Sequence, residues 1–238
     1  MSVEYDHYLT EHFRRIAAPA TLRWNAIAAI AHHGKDFPAD KDAAILEIGP
    51  GFGNLIEHLH SQCGYRNVSA VDVSPEVVAA CNHVLPGSTA LAEDTTAFLR
   101  ERPNEFDLVL MFHVLEHVPR DSVMPLLEAL RGALKTNGKL IVEVPNIAHP
   151  VMGAYNRYHD FTHTAGFTDQ SLGFVLRNAG FREVTVYGCR TPPKTPLRLV
   201  QRTAQDIVEL LAALRLRLFL PRQSVNLAMA LGACATKK

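Results

Sequence analysis

The sequence lacks several features that mark whole classes of protein. Its 238 residues include only four cysteines, isolated from one another and without a CxxC pair: Cys63, Cys81, Cys189 and Cys234. This usage argues against a Cys₄ zinc centre or a disulfide framework and suits a reducing compartment. No stretch reaches the roughly 18 consecutive apolar residues of a membrane span, and the polar first residues hold no signal-peptide core. We therefore expect a cytoplasmic protein.

The net charge is zero, but the charged residues are unevenly distributed along the sequence. The chain has 24 basic and 24 acidic residues, so no basic face for a nucleic acid is expected. Residues 190–222 nevertheless carry seven Lys or Arg and two acids, a local charge of +5 against −5 for the remainder. The hydrophobic fraction of 47% is that of a chain that buries a core, whereas aromatic residues make up only 8%.

Short apolar runs alternate with amphipathic stretches from residue 43 onward. This alternation predicts a doubly wound α/β sheet, with strands at 43–49, 68–73, 89–93, 106–112, 139–144, 182–188 and 225–235. Helices are predicted between them, at 54–62, 75–83, 95–100, 121–134 and 169–179, and over 196–220 between the last two strands.

The remaining segments complete the predicted organisation. Residues 1–40 form an N-terminal helical cap, and residues 41–238 form one domain with a helical insertion at 190–222. The segment 145–168 has no helical or strand period and is rich in His, Asn and Tyr. It is too long for an idle connection, which makes it a candidate for function.

A glycine-rich turn follows the first predicted strand. Residues 45–54, ILEIGPGFGN, pass from a buried strand through Gly49 and Gly51 into a helix, where backbone N–H groups and close backbone approach favour a bound nucleotide. The G-x-G-x-G spacing differs from the G-x-G-x-x-G of dinucleotide-binding proteins. Glu47 would repel a pyrophosphate but attract an amino group, so the turn favours S-adenosylmethionine over NAD.

Acidic residues end the next two predicted strands. Asp72 stands 23 residues after Gly49, where a carboxylate can accept both ribose hydroxyls. Glu93 and Asp94 end the third strand, where an adenine amino group would lie. Three successive strand ends therefore agree on a nucleoside-containing cofactor.

Four segments carry a resemblance to a known family. LEIGPGFGN, VDVSPE, AED and DLVLMFHVLEHVP, in this order, resemble the class I S-adenosylmethionine-dependent methyltransferases, nearest to the branch of quinone-biosynthesis and glycan methyltransferases. The resemblance implies a seven-stranded sheet of order 3-2-1-4-5-7-6 with the last strand antiparallel. It also implies a set of cofactor-binding residues: Glu47, Gly49 and Gly51 at the methionine end, Asp72 and Val73 at the ribose, Asp94 at the adenine, and Phe112 and His113 beside the crevice.

The acceptor side is predicted in the segment 156–168, NRYHDFTHTAGFT. His163 is the preferred general base and Asp160 would orient its imidazole; His113 and His149 are rivals. His159, Asp160 and His163 could instead hold a divalent metal, although we expect none. Glu116 and His117 are interpreted as fixing the loop after the fourth strand.

The predicted helix at 196–220 combines an apolar stripe with several arginines. We favour packing on its own domain or in a homodimer, and contact with the inner face of an anionic membrane is the alternative. N-terminal residues such as Tyr5, His7, Tyr8 and Arg14 would cover the crevice.

The preferred function is O-methylation of a sugar, glycan or other small-molecule hydroxyl. Its enzymatic alternative is O-methylation of a quinone precursor or natural product. The alternative from another class is a non-catalytic S-adenosylmethionine-binding protein in regulation or assembly. The expected partners are a small-molecule or glycan acceptor and no nucleic acid.

Overall fold

The computed structural model describes residues 19–190, 193, 195–221 and 224–238. Its strands are β1 (Ile45–Ile48), β2 (Val68–Asp72), β3 (Thr89–Leu91), β4 (Phe106–Phe112), β5 (Leu134–Pro145), β6 (Arg182–Cys189) and β7 (Ala230–Thr236). Its helices are α1 (Pro19–His33), α2 (Asn54–Ser61), α3 (Pro75–Val84), α4 (Thr95–Arg100), α5 (Arg120–Ala133), α6 (Met152–Tyr158), α7 (Asp169–Asn178) and α8 (Pro196–Phe219).

The strands form one seven-stranded sheet of order β3-β2-β1-β4-β5-β7-β6. β3, β2, β1, β4 and β5 are parallel neighbours, whereas β7 pairs antiparallel with both β5 and β6. The predicted doubly wound fold, its strand order and its antiparallel last strand are confirmed. The carboxyl ends of β1, β2, β4, β5 and β6 therefore meet at one edge of the sheet, which is where ligands bind in open α/β sheets.

Alternation along the strands divides the core between the two faces of the sheet. In β4, Val109 and Met111 pack on the face covered by α4, α5 and α7, while Leu108 and Leu110 pack on the face covered by α1 and α2. This period of two is that of a strand buried on both sides. On the α1 face, Glu47 of β1 and Glu143 of β5 occupy positions that alternate with apolar residues, which brings two carboxylates to the same layer.

Local sequence signals set several helix starts. Ser74 caps α3, its Oγ accepting a hydrogen bond from the Val77 N–H, and Pro75 occupies the first helical position. Thr168 and Ser171 form a capping box at the start of α7. Across the described residues, no helix is both long and apolar enough to cross a bilayer.

The segment between β5 and α7 departs from the expectation of irregular chain. Residues 152–158 form α6, because residues 147–151 turn the chain and His149 Nδ1 accepts the Met152 N–H at 2.8 Å, which satisfies a free donor of the first helical turn. β5 also begins earlier than predicted, since Leu134 pairs with Phe106 immediately after α5. The N-terminal cap is described only from residue 19, so the expectations for Tyr5, His7, Tyr8 and Arg14 lie outside the described residues.

A buried asparagine joins the end of β5 to the chain that enters β7. Asn146 Nδ2 donates to the carbonyl oxygens of Asn226 and Ala228, both at 2.8 Å, and its Oδ1 accepts the Ala148 N–H at 2.9 Å. This one side chain replaces ladder hydrogen bonds before β7 begins and holds the two segments at the edge of the sheet.

We predict that Asn146→Ala lowers the free energy of unfolding by about 2–4 kcal/mol, because it leaves buried carbonyl groups without a donor. Asn178→Ala is the control: its side chain is exposed and bonds only within its own helix, so the change stays within about 0.5 kcal/mol. Urea unfolding followed by circular dichroism measures both variants. Equal stability of Asn146→Ala and the wild-type protein would contradict this role.

Candidate active site

A cavity of about 460 Å³ opens at the carboxyl edge of the sheet. It lies between the ends of β1, β2 and β4 and is covered by α1, whose Asn25, Ala26 and Ala29 face it. The predicted residues Glu47, Gly49, Gly51, Asp72, Val73, Phe112 and His113 all line this cavity. Residues that are far apart in sequence are thus brought together where the fold places a ligand.

The glycine turn after β1 has a backbone that requires glycine. Gly49 and Gly51 have φ of 70° and 56°, in the left-handed region. A Cβ at Gly49 would lie 2.4 Å from Val114 Cγ2, whereas a Cβ at Gly51 would meet no atom within 4 Å. The backbone at Gly51 is therefore open to the cavity, and a ligand can approach it directly.

Glu47 is a buried carboxylate with an incomplete set of partners. Its side chain is 5% exposed, and its Oε2 has no hydrogen-bond partner. Burial, with repulsion from Asp72, raises the pKa of Glu47 to about 8. A buried acceptor of this kind is costly unless a ligand supplies the missing donor.

Asp72 ends β2 on the other side of the glycine turn. Its Oδ1 accepts the Ser74 N–H at 2.8 Å, which fixes the carboxylate towards the cavity it lines. Burial raises the pKa of Asp72 to about 6, and hydrogen bonds from the backbone N–H groups of Ser74 and Val73 oppose the rise. Glu47 and Asp72 together make this wall an acceptor surface, suited to an amino group and hydroxyls and unsuited to a pyrophosphate.

Asp94 has a different position from the other predicted cofactor residues. It caps α4, with Oδ1 accepting the N–H groups of Thr96 and Ala97 at 2.8 and 3.1 Å, and it is not among the residues that line the cavity. Thr95 and Thr96, which follow it, line the cavity instead. The role of Asp94 at the adenine therefore stays a prediction.

His113 lies between two carboxylates at the end of β4. Its Nδ1 is 3.4 Å from Glu116 Oε1, and its Nε2 is 3.4 Å from Glu143 Oε1. Enclosure by itself would lower the pKa of His113, but the hydrogen bonds to Glu116 and Glu143 outweigh it and raise the pKa well above the ordinary value. The two carboxylates therefore favour the cationic form of His113, which makes it a poor acceptor for a proton.

Glu143 connects the site to α1, a role that the sequence reading missed. Its Oε2 bonds to His33 Nε2 at 2.8 Å, and His33 Nδ1 bonds to the Tyr187 hydroxyl at 2.7 Å. Burial would raise the pKa of Glu143, but contacts with His113, His32 and His33 hold it well below the ordinary value. The only local signal for Glu143 is a charged residue inside an apolar strand, IVEV.

A second hydrogen-bonded chain reaches the cavity through His117. His117 lines the cavity, and its Nδ1 lies 2.7 Å from Thr162 Oγ1. The Thr162 hydroxyl in turn donates to Asp160 Oδ1 at 2.6 Å. The predicted acceptor segment therefore does approach the cavity, but through Thr162 and His117.

The other predicted bases lie behind the cavity wall. His163 is buried, with Nδ1 2.6 Å from the Asn156 carbonyl oxygen and Nε2 3.7 Å from Asp160 Oδ2, and it packs edge-on against the His117 ring. His149 caps the start of α6 and faces Glu209. Neither lines the cavity, since the His163 ring contacts the end of α6 and the His149 ring contacts its start.

Two groups of residues in the described part of the chain have the spacing of metal ligands. They are His32, His33, Glu143 and Cys189, and Glu116, His117 and His163, with ligand atoms within 4.8 Å of one another. The predicted alternative set of His159, Asp160 and His163 is not one of them. In the first group both nitrogens of His33, and in the second group Nδ1 of His117 and of His163, already have the hydrogen-bond partners described above.

Comparison with known proteins identifies the family. The methyltransferase-domain family matches residues 12–186, well over half of the chain. The chain belongs to the S-adenosylmethionine-dependent methyltransferases. It is 31% identical over 184 residues to the ubiquinone biosynthesis O-methyltransferase of Xanthomonas euvesicatoria pv. vesicatoria (strain 85-10), covering 68% of this chain and 72% of that one. The Xylella fastidiosa (strain 9a5c) protein of the same name is 30% identical over 181 residues, covering 68% and 70%.

Solved structures agree on the fold of this methyltransferase. A SAM-dependent methyltransferase from Archaeoglobus fulgidus superposes with a TM-score of 0.66 at 19% identity, covering 98% of this chain and all of that one. Phosphoethanolamine N-methyltransferase 2 of Haemonchus contortus, in complex with S-adenosyl-L-methionine, gives 0.63 at 16% identity, covering 99% and 60%. The cofactor is S-adenosylmethionine, and the residues of the cavity fit it: Glu47 for an amino group, Asp72 for hydroxyls and Gly51 for close backbone contact.

We predict that Glu47→Gln weakens S-adenosylhomocysteine binding by about 10- to 100-fold, the loss of one charge-assisted hydrogen bond. We expect the ligand ammonium to bind the ionised form of Glu47. The affinity of the wild-type protein should therefore rise between about pH 6.5 and 7.5, because this range lies below the pKa of Glu47 in the ligand-free protein. The rise should be smaller in the variant. Titration calorimetry over this pH range measures both effects.

The ligand-free protein provides the control for this substitution. Folding raises the pKa of the Glu47 carboxyl to about 8. Ionisation of Glu47 therefore destabilises the folded protein increasingly as the pH rises from the pKa of an unfolded glutamate towards about 8. Glu47→Gln removes this cost and raises the melting temperature at pH 8.5, so weaker binding cannot be attributed to misfolding. A variant that binds as tightly as the wild-type protein would remove Glu47 from the cofactor site.

Proposed function

We propose that this methyltransferase O-methylates a small-molecule phenol of the quinone-precursor class, with His117 as general base. The observation that carries the proposal is the hydrogen-bonded chain from the cavity wall, His117 to Thr162 to Asp160, with distances of 2.7 and 2.6 Å. A hydroxyl nucleophile must lose its proton during methyl transfer, and a positioned histidine is the usual acceptor. His117 thereby takes the role of general base that we expected for His163, whose ring packs edge-on against that of His117.

The hydrogen bonds from His117 to Asp160 also favour one tautomer of His117. The Thr162 hydroxyl donates its proton to Asp160 Oδ1, so Thr162 Oγ1 is left to accept from the His117 Nδ1–H. The lone pair of the imidazole is then on Nε2, the nitrogen that receives a proton. Asp160 stabilises the resulting imidazolium through Thr162, as the carboxylate does in other His–carboxylate pairs. Asp160 and Thr162 are positioning residues.

The chemistry of the acceptor favours a phenol over a sugar hydroxyl. An imidazole with a reference pKa near 6.5 removes a proton from a phenol, with a pKa near 10, far more readily than from an aliphatic alcohol. The cavity wall around His117 is apolar, formed by Val114, Val118, Pro119 and Leu126, and offers few partners to a polyhydroxy ring. The names of the curated relatives, ubiquinone biosynthesis O-methyltransferases, support the same class.

S-adenosylmethionine supplies an electrophilic methyl group when bound. The chain's own residues would bind and orient it: Glu47 and Asp72 would accept hydrogen bonds from the ligand, and α1, which lines the cavity, would limit the access of water. His113, held as a cation by Glu116 and Glu143, is a hydrogen-bond donor at the end of β4. Two histidines four residues apart thus have different roles, one donating hydrogen bonds and one accepting the proton of the acceptor hydroxyl.

We predict that His117→Ala lowers kcat on phenolic acceptors by about 10²–10⁴-fold, with S-adenosylhomocysteine affinity nearly unchanged. Thr162→Val should lower kcat less and should lower the apparent pKa of the acidic limb, because it removes the link through which Asp160 stabilises the His117 imidazolium while it leaves the base in place. His159→Ala is the matched control, since this exposed ring stacks on Tyr155 and lies outside the cavity. Initial rates against pH, with a panel of phenols and polyhydroxy sugars, measure these effects.

Three outcomes of that panel would contradict the proposal. A normal rate for His117→Ala combined with a large loss for His163→Ala would return the base to His163. Turnover on sugars but not on phenols would establish a glycan hydroxyl as the acceptor. Tight cofactor binding without turnover on either class or in host extract would support the non-catalytic binding protein.

A further inference from the structure

The helix α8 is amphipathic, but its apolar side faces away from the protein. In the described part of α8, Glu209 is the one buried residue, and Arg202, Ala212, Ala213 and Leu216 are half-buried. At 100° per residue these side chains share one side of the helix, which is therefore the side towards the domain. The opposite side is apolar, with side chains that expose between 43% and 81% of their surface: Leu197, Leu199, Val200, Ile207, Val208, Leu210, Leu211, Leu214, Leu218 and Phe219.

Ion pairs keep the helix in this orientation. Arg190, at the end of β6, contacts both Asp206 and Glu209, and Arg202 Nε bonds to Asp206 Oδ1 at 3.0 Å. His149 Nε2 lies 3.8 Å from Glu209 Oε1. The two acids of α8 are thus neutralised on the inner side, and the outward side carries no acid.

Two basic residues of α8 border its exposed apolar side. Arg215 and Arg217 lie about 100° clockwise and 60° anticlockwise from Leu214 on the helical projection, on the two flanks of the apolar side. Arg198 is also exposed, but on the same projection it lies on the side towards the domain, about 20° from Glu209. An apolar face with arginines along its borders and acids excluded matches an anionic lipid surface, in which the arginine stems lie along the apolar region and their guanidinium groups reach the headgroups.

The same charges disfavour a second copy of the chain as the partner. Two α8 helices packed face to face would bring arginines from both copies together, with no outward acid to compensate. Arg215 lies beside Leu211, so a dry helix pair would also have to bury a cation without a partner. A lipid headgroup layer imposes neither cost.

The position of α8 in the fold is a second, independent observation, because the insertion begins and ends at the ligand-binding edge of the sheet. Cys189 and Ala230, which precede and follow the insertion, pair with each other at the end of the sheet where β5 ends at Pro145. The segment after β5 exposes further large apolar side chains at this edge: Val151, Tyr155, Tyr158 and Phe161. The cofactor cavity opens at the same edge, so one side of the protein carries the site and two exposed apolar elements.

We propose that α8 binds the surface of an anionic phospholipid bilayer through its outward apolar side, lying in the interface without crossing it. Binding of this kind needs both the apolar insertion and the attraction of arginines to anionic headgroups. It would bring the cavity edge close to acceptors that partition into the membrane. The inference does not depend on the proposed O-methylation, because lipid binding is measured without cofactor or acceptor.

Vesicle flotation of the full chain tests the proposal. We expect binding to vesicles of phosphatidylcholine with about 30 mol % phosphatidylglycerol, and at least about tenfold weaker partitioning to phosphatidylcholine alone. Raising the salt from about 0.1 to about 1 M, which shortens the Debye length from about 10 to about 3 Å, weakens binding by a similar factor. Leu211→Glu reduces partitioning about tenfold or more.

Gln205→Glu is the matched control. It adds the same negative charge to an exposed position of α8, but on the side away from the apolar face, so partitioning stays within about twofold of the wild-type protein. Absence of binding to anionic vesicles, or equal binding to neutral ones at all salt concentrations, would overturn the proposal. So would a lipid-free dimer in light scattering that Leu211→Glu dissociates, since that result would give the apolar side to a second copy.

Discussion

An incompletely satisfied carboxylate at the end of a buried strand is the constraint around which the cofactor site is organised. Glu47 Oε2 is buried without a partner, a state that costs about 1–3 kcal/mol. The positive φ of Gly49 and Gly51 turns the chain away from Glu47 and opens the backbone beside it. Asp72 adds a second negative group, and α1 covers both. Such a wall is unfavourable when empty and complementary to a ligand that carries an amino group and hydroxyls.

On the acceptor side, by contrast, the polar side chains are mostly paired with one another, although Glu116 Oε2 is also buried without a partner. Glu143 and Glu116 flank His113 and favour its cationic form, whereas Thr162 and Asp160 orient His117 through its Nδ1. Different partners therefore separate the roles of two histidines in one loop. These networks also tie α1 and the segment after β5 to the sheet, so that the cover of the cavity and its catalytic wall share the same hydrogen bonds.

The sequence predicted the fold closely where local pattern determines structure. β4 and α4 have the predicted bounds, since an apolar run of seven residues and a capped amphipathic turn each define one element. The strand order came from family resemblance. The partners of Glu143 could not be predicted, because His33 lies 110 residues away in sequence and only the packing of α1 brings it there. His163 was preferred because it lies in the histidine-rich segment after the fifth strand, and the sequence does not show that His117, and not His163, lines the cavity. For α8, periodicity identified an apolar stripe but not the side of the helix that faces the domain.

The central claim is that the cavity recognises the amino-acid end of its cofactor, and a comparison of ligands tests it most directly. Titration calorimetry of the wild-type protein with S-adenosylhomocysteine, 5′-methylthioadenosine and NADH separates the amino-acid end from the nucleoside. The account predicts that S-adenosylhomocysteine binds at least about tenfold more tightly than 5′-methylthioadenosine, and that NADH does not compete. Equal affinity for the first two ligands, or tight binding of NADH, would contradict it.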